Sequence, residues 1–226
     1  MIYVVAIVIA ALCASISYIT LDKTLSNKTI ILRPRDSEEA ANKVISINQR
    51  YIISIGIFVV TTVASIFLVT KNVEWLGILK MSIGMVCLSG AACNDYRDYR
   101  IPNIFPLTIA ISAIACLSIG YFTSQEGATA YIFSSVFAAV VVVIFMIVAS
   151  LLTRRGIGMG DIKLLTALAL LGGVNTIGWT LIFGVAVCAV VAVFFLITKK
   201  KTVKGTMPFG PFIFIGYIIT IILNKF

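Results

Sequence analysis

Three aspartates of this sequence lie where their side chains could do chemistry. The chain holds nine acidic residues, and Asp95, Asp98 and Asp161 are those at the ends of long apolar stretches. Asp95 follows a run of small residues over 89–94, and Asp161 follows alternate glycines within 156–160. An aspartate near the hydrocarbon of a membrane is costly and is usually paired or functional. Small residues beside each one would let two helices approach closely.

Two of these aspartates could act as one catalytic unit. If neighbouring helices bring Asp95 and Asp161 together, the two carboxyl groups cannot both ionise easily, so the pair holds one proton and titrates as a unit. One carboxylate can then activate a water molecule while its protonated partner polarises a carbonyl, as in an aspartic protease. The plainer interpretation is an ion pair with a nearby base, which would be Arg97 or Arg100 for Asp95. For Asp161 it would be Lys163.

Other catalytic and metal-binding patterns are missing from the sequence. Histidine is absent, which excludes Ser-His-Asp and Cys-His catalysis and removes the commonest metal ligand. The five cysteines form no Cys-x-x-Cys pair, so we interpret them as small apolar residues, not as a zinc site or a disulfide framework. The glycines within 156–160 suggest a dinucleotide loop only weakly, because no strand precedes them. We therefore expect neither a metal nor an organic cofactor.

The elements that carry the aspartates must be membrane helices. The 226 residues are 60% hydrophobic and 12% charged, against roughly 45–50% and 25% in a soluble domain. That much apolar surface cannot be hidden in one water-soluble core. The composition thus argues against a soluble enzyme, a disordered chain and a nucleic-acid-binding module. The predicted fold class is all-α, a polytopic bundle of membrane helices that forms a single integral membrane domain over residues 1–226.

The loops between the apolar stretches indicate the orientation. A spanning helix needs about 20 apolar residues, and eight stretches are candidates. Lysines and arginines concentrate in alternate loops, over 22–50, 95–100, 153–163 and 199–206, and the positive-inside rule places those loops in the cytoplasm with both termini outside. The net charge of +9 therefore reflects topology and not a nucleic-acid partner. The predicted spans are Ile2–Leu21, Tyr51–Thr70, Trp75–Asn94, Ile101–Phe122, Thr129–Leu152, Leu164–Val174, Ile177–Thr198 and Pro208–Leu223.

Three of these segments have particular consequences. No basic residue precedes the first apolar stretch, which is the wrong polarity for a secretory signal, so we expect that span to be retained. Segment 22–50 is interpreted as a short cytoplasmic connector. The sixth span, Leu164–Val174, is too short for ~30 Å of hydrocarbon, so either it is thinly covered or the loop before it enters the membrane. Non-helical backbone is tolerated at that depth only beside protein or water, which makes the segment around Asp161 the expected place of the chemistry.

Three elements of the sequence resemble motifs of the prepilin peptidases, or type IV leader peptidases. The stretch from Asp95 to Asn103 is similar to their D-x5-I-P-N element, residues 158–165 to their GxGD-x-K-L-L element, and residues 208–211 to their PFGP element. Three matches in the expected order within 89–212 make the resemblance specific. This family consists of polytopic GxGD-type membrane aspartyl proteases. They cleave the basic leader from type IV pilin-like precursors at the cytoplasmic face of the inner membrane.

The resemblance implies Asp95 and Asp161 as the catalytic pair. Asp98 follows Asp95 by three residues and stays an alternative acid on the same helical face, although the distance from Asp95 to Ile-Pro matches the family spacing. Pro208 would also suit the first turn of a helix without any role in a site. The supporting motif residues are Gly158, Gly160, Lys163, Pro208 and Gly210.

The resemblance also implies partners and a branch of the family. The partners would be type IV pilin-like precursors and the lipid bilayer, with no nucleic acid. Bifunctional prepilin peptidases also methylate the mature pilin and carry paired Cys-x-x-Cys motifs in a larger cytoplasmic segment. Segment 22–50 holds no cysteine, so the chain resembles the short form, without zinc or methyltransferase activity.

Two functions of other classes stay open at this point. A proton-coupled transporter could use Asp95 and Asp161 as a relay, but its acids would lie near the bilayer midplane, in interrupted helices and often within inverted repeats. Here the acids cluster at one predicted face, and the sequence shows no repeat. A structural component of an assembly would hold the same aspartates in dispensable ion pairs. Asparagine at both positions separates an enzyme from such a component.

Overall fold

The computed structural model describes residues 74–123, 127–153, 157–198 and 208–223, together with seven residues between 56 and 67. The described residues form helices and turns, and no strand occurs among them. Five helices can be followed from end to end in this part of the chain. They are α1 (Trp75–Asp98), α2 (Ile104–Phe122), α3 (Ala128–Leu152), α4 (Met159–Ile197) and α5 (Gly210–Ile222).

The helices form because apolar residues dominate their sequences, and hydrocarbon leaves a backbone no other partner for its N–H and C=O groups. Helices α1 to α4 are long and apolar enough to cross a membrane, and α5 is a shorter apolar helix. The prediction of an all-α, multi-pass membrane protein is therefore confirmed. The count of eight spans stays a prediction, because Ile2–Leu21 and most of Tyr51–Thr70 lie outside the described residues. The connector over 22–50 lies outside them too.

Helix α1 is the most buried of the four long helices. It packs against α2, α4 and α5, and most of its side chains are enclosed. By contrast, α3 exposes large apolar side chains such as Phe133 and Phe137 along its outer surface, as a lipid-facing helix does. The enclosed core joins all five helices through residues that include Met85, Leu88, Ile109, Val142, Leu165, Leu168, Ile213 and Tyr217.

Helix α4 is interrupted at Gly173, where φ is 72° and ψ is −174°. A left-handed φ favours glycine, and the break removes hydrogen bonds from the backbone around it. Two side chains of α3 replace them. The Tyr131 hydroxyl donates to the Leu171 carbonyl at 2.7 Å, and the Ser134 hydroxyl accepts from the Val174 N–H at 3.2 Å. The break is therefore held in place by the neighbouring helix.

The break lies close to the predicted boundary between the sixth and seventh spans. These two spans correspond to two helical segments, 159–172 and 174–197, which meet at Gly173. The sixth span also begins earlier, at Met159 instead of Leu164. Asp161 consequently lies in the first turn of a helix, and whether the segment before it enters the membrane stays a prediction.

Glycine lets α4 and α5 approach until their backbones touch. A Cβ added at Gly216 would lie 2.5 Å from both the Gly184 nitrogen and the Thr180 carbonyl oxygen. The buried hydroxyls of Thr180 and Thr220 hydrogen-bond across the same interface at 3.3 Å. Small residues and hydroxyl bonds are the usual means by which membrane helices associate.

We predict that Gly216→Ala lowers the free energy of unfolding by about 1–3 kcal/mol, because the new methyl group forces two rigid backbones apart. The matched control is Gly178→Ala, since a Cβ at Gly178 meets nothing within 4 Å. Thermal unfolding of both variants in detergent is the measurement. Equal midpoints for the two variants would contradict this account of the α4–α5 contact.

Candidate active site

Asp95 lies in the last turn of α1, and its residue is only 6% exposed. The carboxyl group contacts the start of α5, where Oδ2 accepts a hydrogen bond from the Gly210 N–H at 2.7 Å. The Phe209 N–H donates to the same carboxyl group. The first N–H groups of a helix have no partner within it, and their partial positive charge favours an anion. The start of α5 is therefore built to hold the Asp95 carboxylate.

The sequence of the 208–211 element fits this contact. A Cβ at Gly210 would lie 3.1 Å from both Cβ and Oδ2 of Asp95, and 3.2 Å from the Ala92 Cα. A side chain at this position would therefore push Asp95 or the α1 backbone away by a few tenths of an ångström. Pro211 occupies the first turn of α5, where its missing N–H costs nothing. Proline on either side of Phe209-Gly210 thus fixes the backbone that presents the two donors.

Asp161 is the third residue of α4, and it is partly buried. Its carboxyl group accepts a hydrogen bond from the backbone N–H of Gly158, the residue that precedes the helix. The Asp161 N–H donates in return to the Gly158 carbonyl at 3.1 Å. This is half of a capping box, and it places the carboxylate at the positive end of a helix. A Cβ at Gly158 would lie 3.1 Å from Asp161 Oδ2.

The segment between α1 and α2 connects the two aspartates. Helix α1 ends at Asp98, and the next residue, Tyr99, turns the chain with a left-handed φ of 52°. Ile101 then packs on Gly160, where a Cβ would lie 3.1 Å from the Ile101 Cβ. Two residues further along the chain, Asn103 Oδ1 accepts a hydrogen bond from Lys163 Nζ at 3.2 Å. The first and second sequence elements are thus joined at two points.

These contacts gather the three sequence elements at one end of the bundle. The carboxyl groups of Asp95 and Asp161 lie close enough for their charges to interact. Within the described side chains neither aspartate forms an ion pair, and Lys163 binds Asn103 instead. The ion-pair interpretation of Asp161 with Lys163 is therefore wrong. The Arg97 and Asp98 side chains lie outside the described ones, so Asp98 stays an alternative acid.

Sequence reasoning missed two contributors to this site. The first is the hydrogen bond between Lys163 and Asn103, which joins two of the motifs. The second is the Phe209 N–H, a backbone donor whose role does not depend on the type of its side chain. Asn103 closes the D-x5-I-P-N element, so its presence in that motif was the available signal. In the described part of the chain, no three cysteine, aspartate or glutamate side chains lie close enough together to hold a metal ion. The arrangement offers two carboxyl groups with backbone donors around each.

Comparison with known proteins agrees with the geometry. A family model described as the type IV leader peptidase family matches residues 82–198. That range contains both aspartates and the first two motif elements. It ends before residues 208–211, which the structure connects to the others through the Gly210–Asp95 bond. No curated protein and no solved structure matches the chain.

We predict that Asp95→Ala makes the Gly210 amide exchange its hydrogen with solvent faster. Gly210 begins α5 and has no acceptor within the helix, so loss of the carboxylate leaves its N–H open to water. Hydrogen exchange on protein labelled at glycine is the measurement. The amide of Gly216, inside α5, should exchange at an unchanged rate. An unchanged rate at Gly210 would show that the hydrogen bond does not form.

Proposed function

Since this chain belongs to the type IV leader peptidase family, we propose that it is an aspartic endopeptidase with Asp95 and Asp161 as its catalytic pair. Its substrates would be type IV pilin-like precursors, cleaved after a basic leader at the cytoplasmic face of the inner membrane. The observation that carries the proposal is the convergence of three elements, 95–103, 158–165 and 208–211, on the two carboxyl groups.

The proposed reaction needs only these carboxyl groups and water. One carboxyl group is ionised and takes a proton from the attacking water, while the other donates its proton to the carbonyl oxygen of the scissile peptide bond. The tetrahedral intermediate then collapses: one of its hydroxyl groups returns a proton to the pair, the C–N bond breaks, and the leaving nitrogen takes a proton from the pair. The products are a carboxylic acid and an amine, and the pair again holds one proton.

The backbone around each carboxyl group has a positioning role in this proposal. Asp95 is fixed by the N–H groups at the start of α5, and Asp161 by the N–H of Gly158. The Lys163–Asn103 bond holds the start of α4 against the segment after α1. The positions of the two carboxyl groups matter because a displacement of about 1 Å at a reacting group can lower the rate on the order of 10²-fold.

An apolar groove beside the site supports a substrate that lies in the membrane. The groove runs between α2, α3 and α4, and Asn103 and Lys163 line it together with Leu107, Val143 and Leu170. An apolar helix of the precursor, placed along this groove, would present its first residues next to Asp161. The basic leader would then extend beyond the membrane surface, into the cytoplasm.

The proton-relay alternative has one feature in its favour and one against it. Helix α4 is interrupted, as transporter helices often are. However, Gly173 is twelve residues beyond Asp161, which corresponds to about 18 Å along a helix. Neither aspartate is therefore at the break. A relay would need its carboxyl groups near the middle of the membrane, whereas the break borders the cavity lined by Lys80 and Glu74 at the other end of the bundle.

We predict that Asp95→Asn and Asp161→Asn each lower precursor cleavage by at least about 10²-fold, the usual contribution of general acid–base groups. The double variant should lose no more than either single one, because the two groups act as a unit. The measurement is the mass of the products released by the purified protein from candidate precursors.

Asp98→Asn is the matched control and should retain cleavage. Loss of activity in Asp98→Asn together with full activity in Asp95→Asn would move the pair to Asp98. Cleavage by the double asparagine variant would refute the proposal. The product mass also reports any methyl group added to the new N-terminus, which would contradict the short form of the family.

A further inference from the structure

A second cavity lies at the end of α1 away from Asp95. Its volume is about 260 Å³, and it is enclosed by α1, α2, α3 and the region of the break in α4. Lys80 lines it and precedes Asp95 by fifteen residues, which is about 22 Å along a helix. The proposed peptidase reaction uses no part of this cavity.

Lys80 points into the protein although it lies in a membrane helix. It is 9% exposed, and its Nζ lies 3.6 Å from the centroid of the Tyr131 ring. A lysine near the end of a membrane helix usually extends its stem so that the ammonium reaches water. Here the ammonium stays over an aromatic face, which attracts a cation. Charged residues turned inward from a membrane helix are typical of binding sites.

Thr176 provides a second, independent sign of a ligand. It lies just after the break in α4, lines the same cavity, and is 0% exposed. Its hydroxyl has no hydrogen-bond partner among the described residues. A buried hydroxyl without a partner is costly, and the nearby Tyr131 hydroxyl is already used by the Leu171 carbonyl. A polar ligand in the cavity would give a hydrogen-bond partner to the Thr176 hydroxyl and to the Lys80 ammonium.

The surroundings of the cavity indicate the chemistry of that ligand. Glu74, at the start of α1, also lines it, so one cavity contains both a cation and an anion. The exposed rings of Trp75 and Tyr121 flank this end of the bundle, and aromatic residues gather at the level of lipid headgroups. A volume just below the 300–1,000 Å³ of typical ligand pockets suits a small polar group.

We propose that this cavity binds the headgroup of a zwitterionic phospholipid of the phosphoethanolamine type. The phosphate contacts the Lys80 ammonium and the Thr176 hydroxyl, and the amine lies beside the Glu74 carboxylate. The acyl chains extend along the apolar surfaces of the neighbouring helices. This assignment is independent of the proposed peptidase function.

Native mass spectrometry of the detergent-purified protein, titrated with phosphatidylethanolamine or phosphatidylglycerol, tests the proposal. The wild type should bind one phosphatidylethanolamine more tightly than phosphatidylglycerol. Lys80→Met should weaken that binding by about tenfold or more, since it removes a charged partner of the phosphate. Lys80→Arg should keep it. Glu74→Gln should remove the preference between the two lipids and leave the phosphate contact.

A second variant, two soluble ligands and a cleavage assay complete the experiment. Thr176→Val should weaken binding by about fivefold, and it serves as the second variant if Lys80→Met does not fold. If Lys80→Met or Thr176→Val binds phosphatidylethanolamine as tightly as the wild type, the proposal is overturned. Binding of free phosphoethanolamine or inorganic phosphate without binding of the lipid would also overturn it, because the site would then take a soluble ligand. Precursor cleavage by Lys80→Met should stay normal, which separates this test from that of the peptidase.

Discussion

The structure depends on holding a buried carboxylate at the end of a membrane helix. Asp95 lies in the last turn of α1, where the partial charge of the helix is negative and disfavours an anion. The start of α5 compensates for this with the N–H groups of Phe209 and Gly210. Asp161 has the same kind of support from the start of its own helix. Two helix N-termini thus take the place of basic side chains around the pair.

That constraint explains why glycines stand where they do. Gly210 lets α5 reach Asp95, Gly160 lets α4 reach Ile101, and Gly158 leaves room for the Asp161 carboxyl group. A Cβ added at any of these three glycines would lie 3.1 Å from a neighbouring atom. The glycines of the motifs therefore allow the helices to pack closely, in addition to the chemistry that the aspartates provide. Side chains with backbone donors on several helices are the kind of support that keeps a catalytic geometry precise.

The sequence predicted the all-α membrane fold and the three elements that meet at the site, because apolar length and motif spacing are local properties. It did not predict that Asp161 begins a helix, since the glycines of 156–160 look like a loop when read alone. A boundary was predicted next to the break at Gly173, but its stabilisation was not, because the hydroxyl groups that satisfy it belong to α3, forty residues away in sequence. Lys80 is a charge within the third predicted span, but its aromatic partner Tyr131 lies 51 residues further along the chain.

Proximity of the two carboxyl groups is the central claim, and thiol crosslinking tests it directly. In a chain whose five native cysteines are replaced by alanine, Asp95→Cys and Asp161→Cys should be joined by a short bifunctional reagent. The crosslinked peptides can be identified by mass spectrometry. Lys80→Cys with Asp161→Cys, which lie toward opposite ends of the bundle, should not react. Crosslinking of the control pair, or none between positions 95 and 161, would contradict the account.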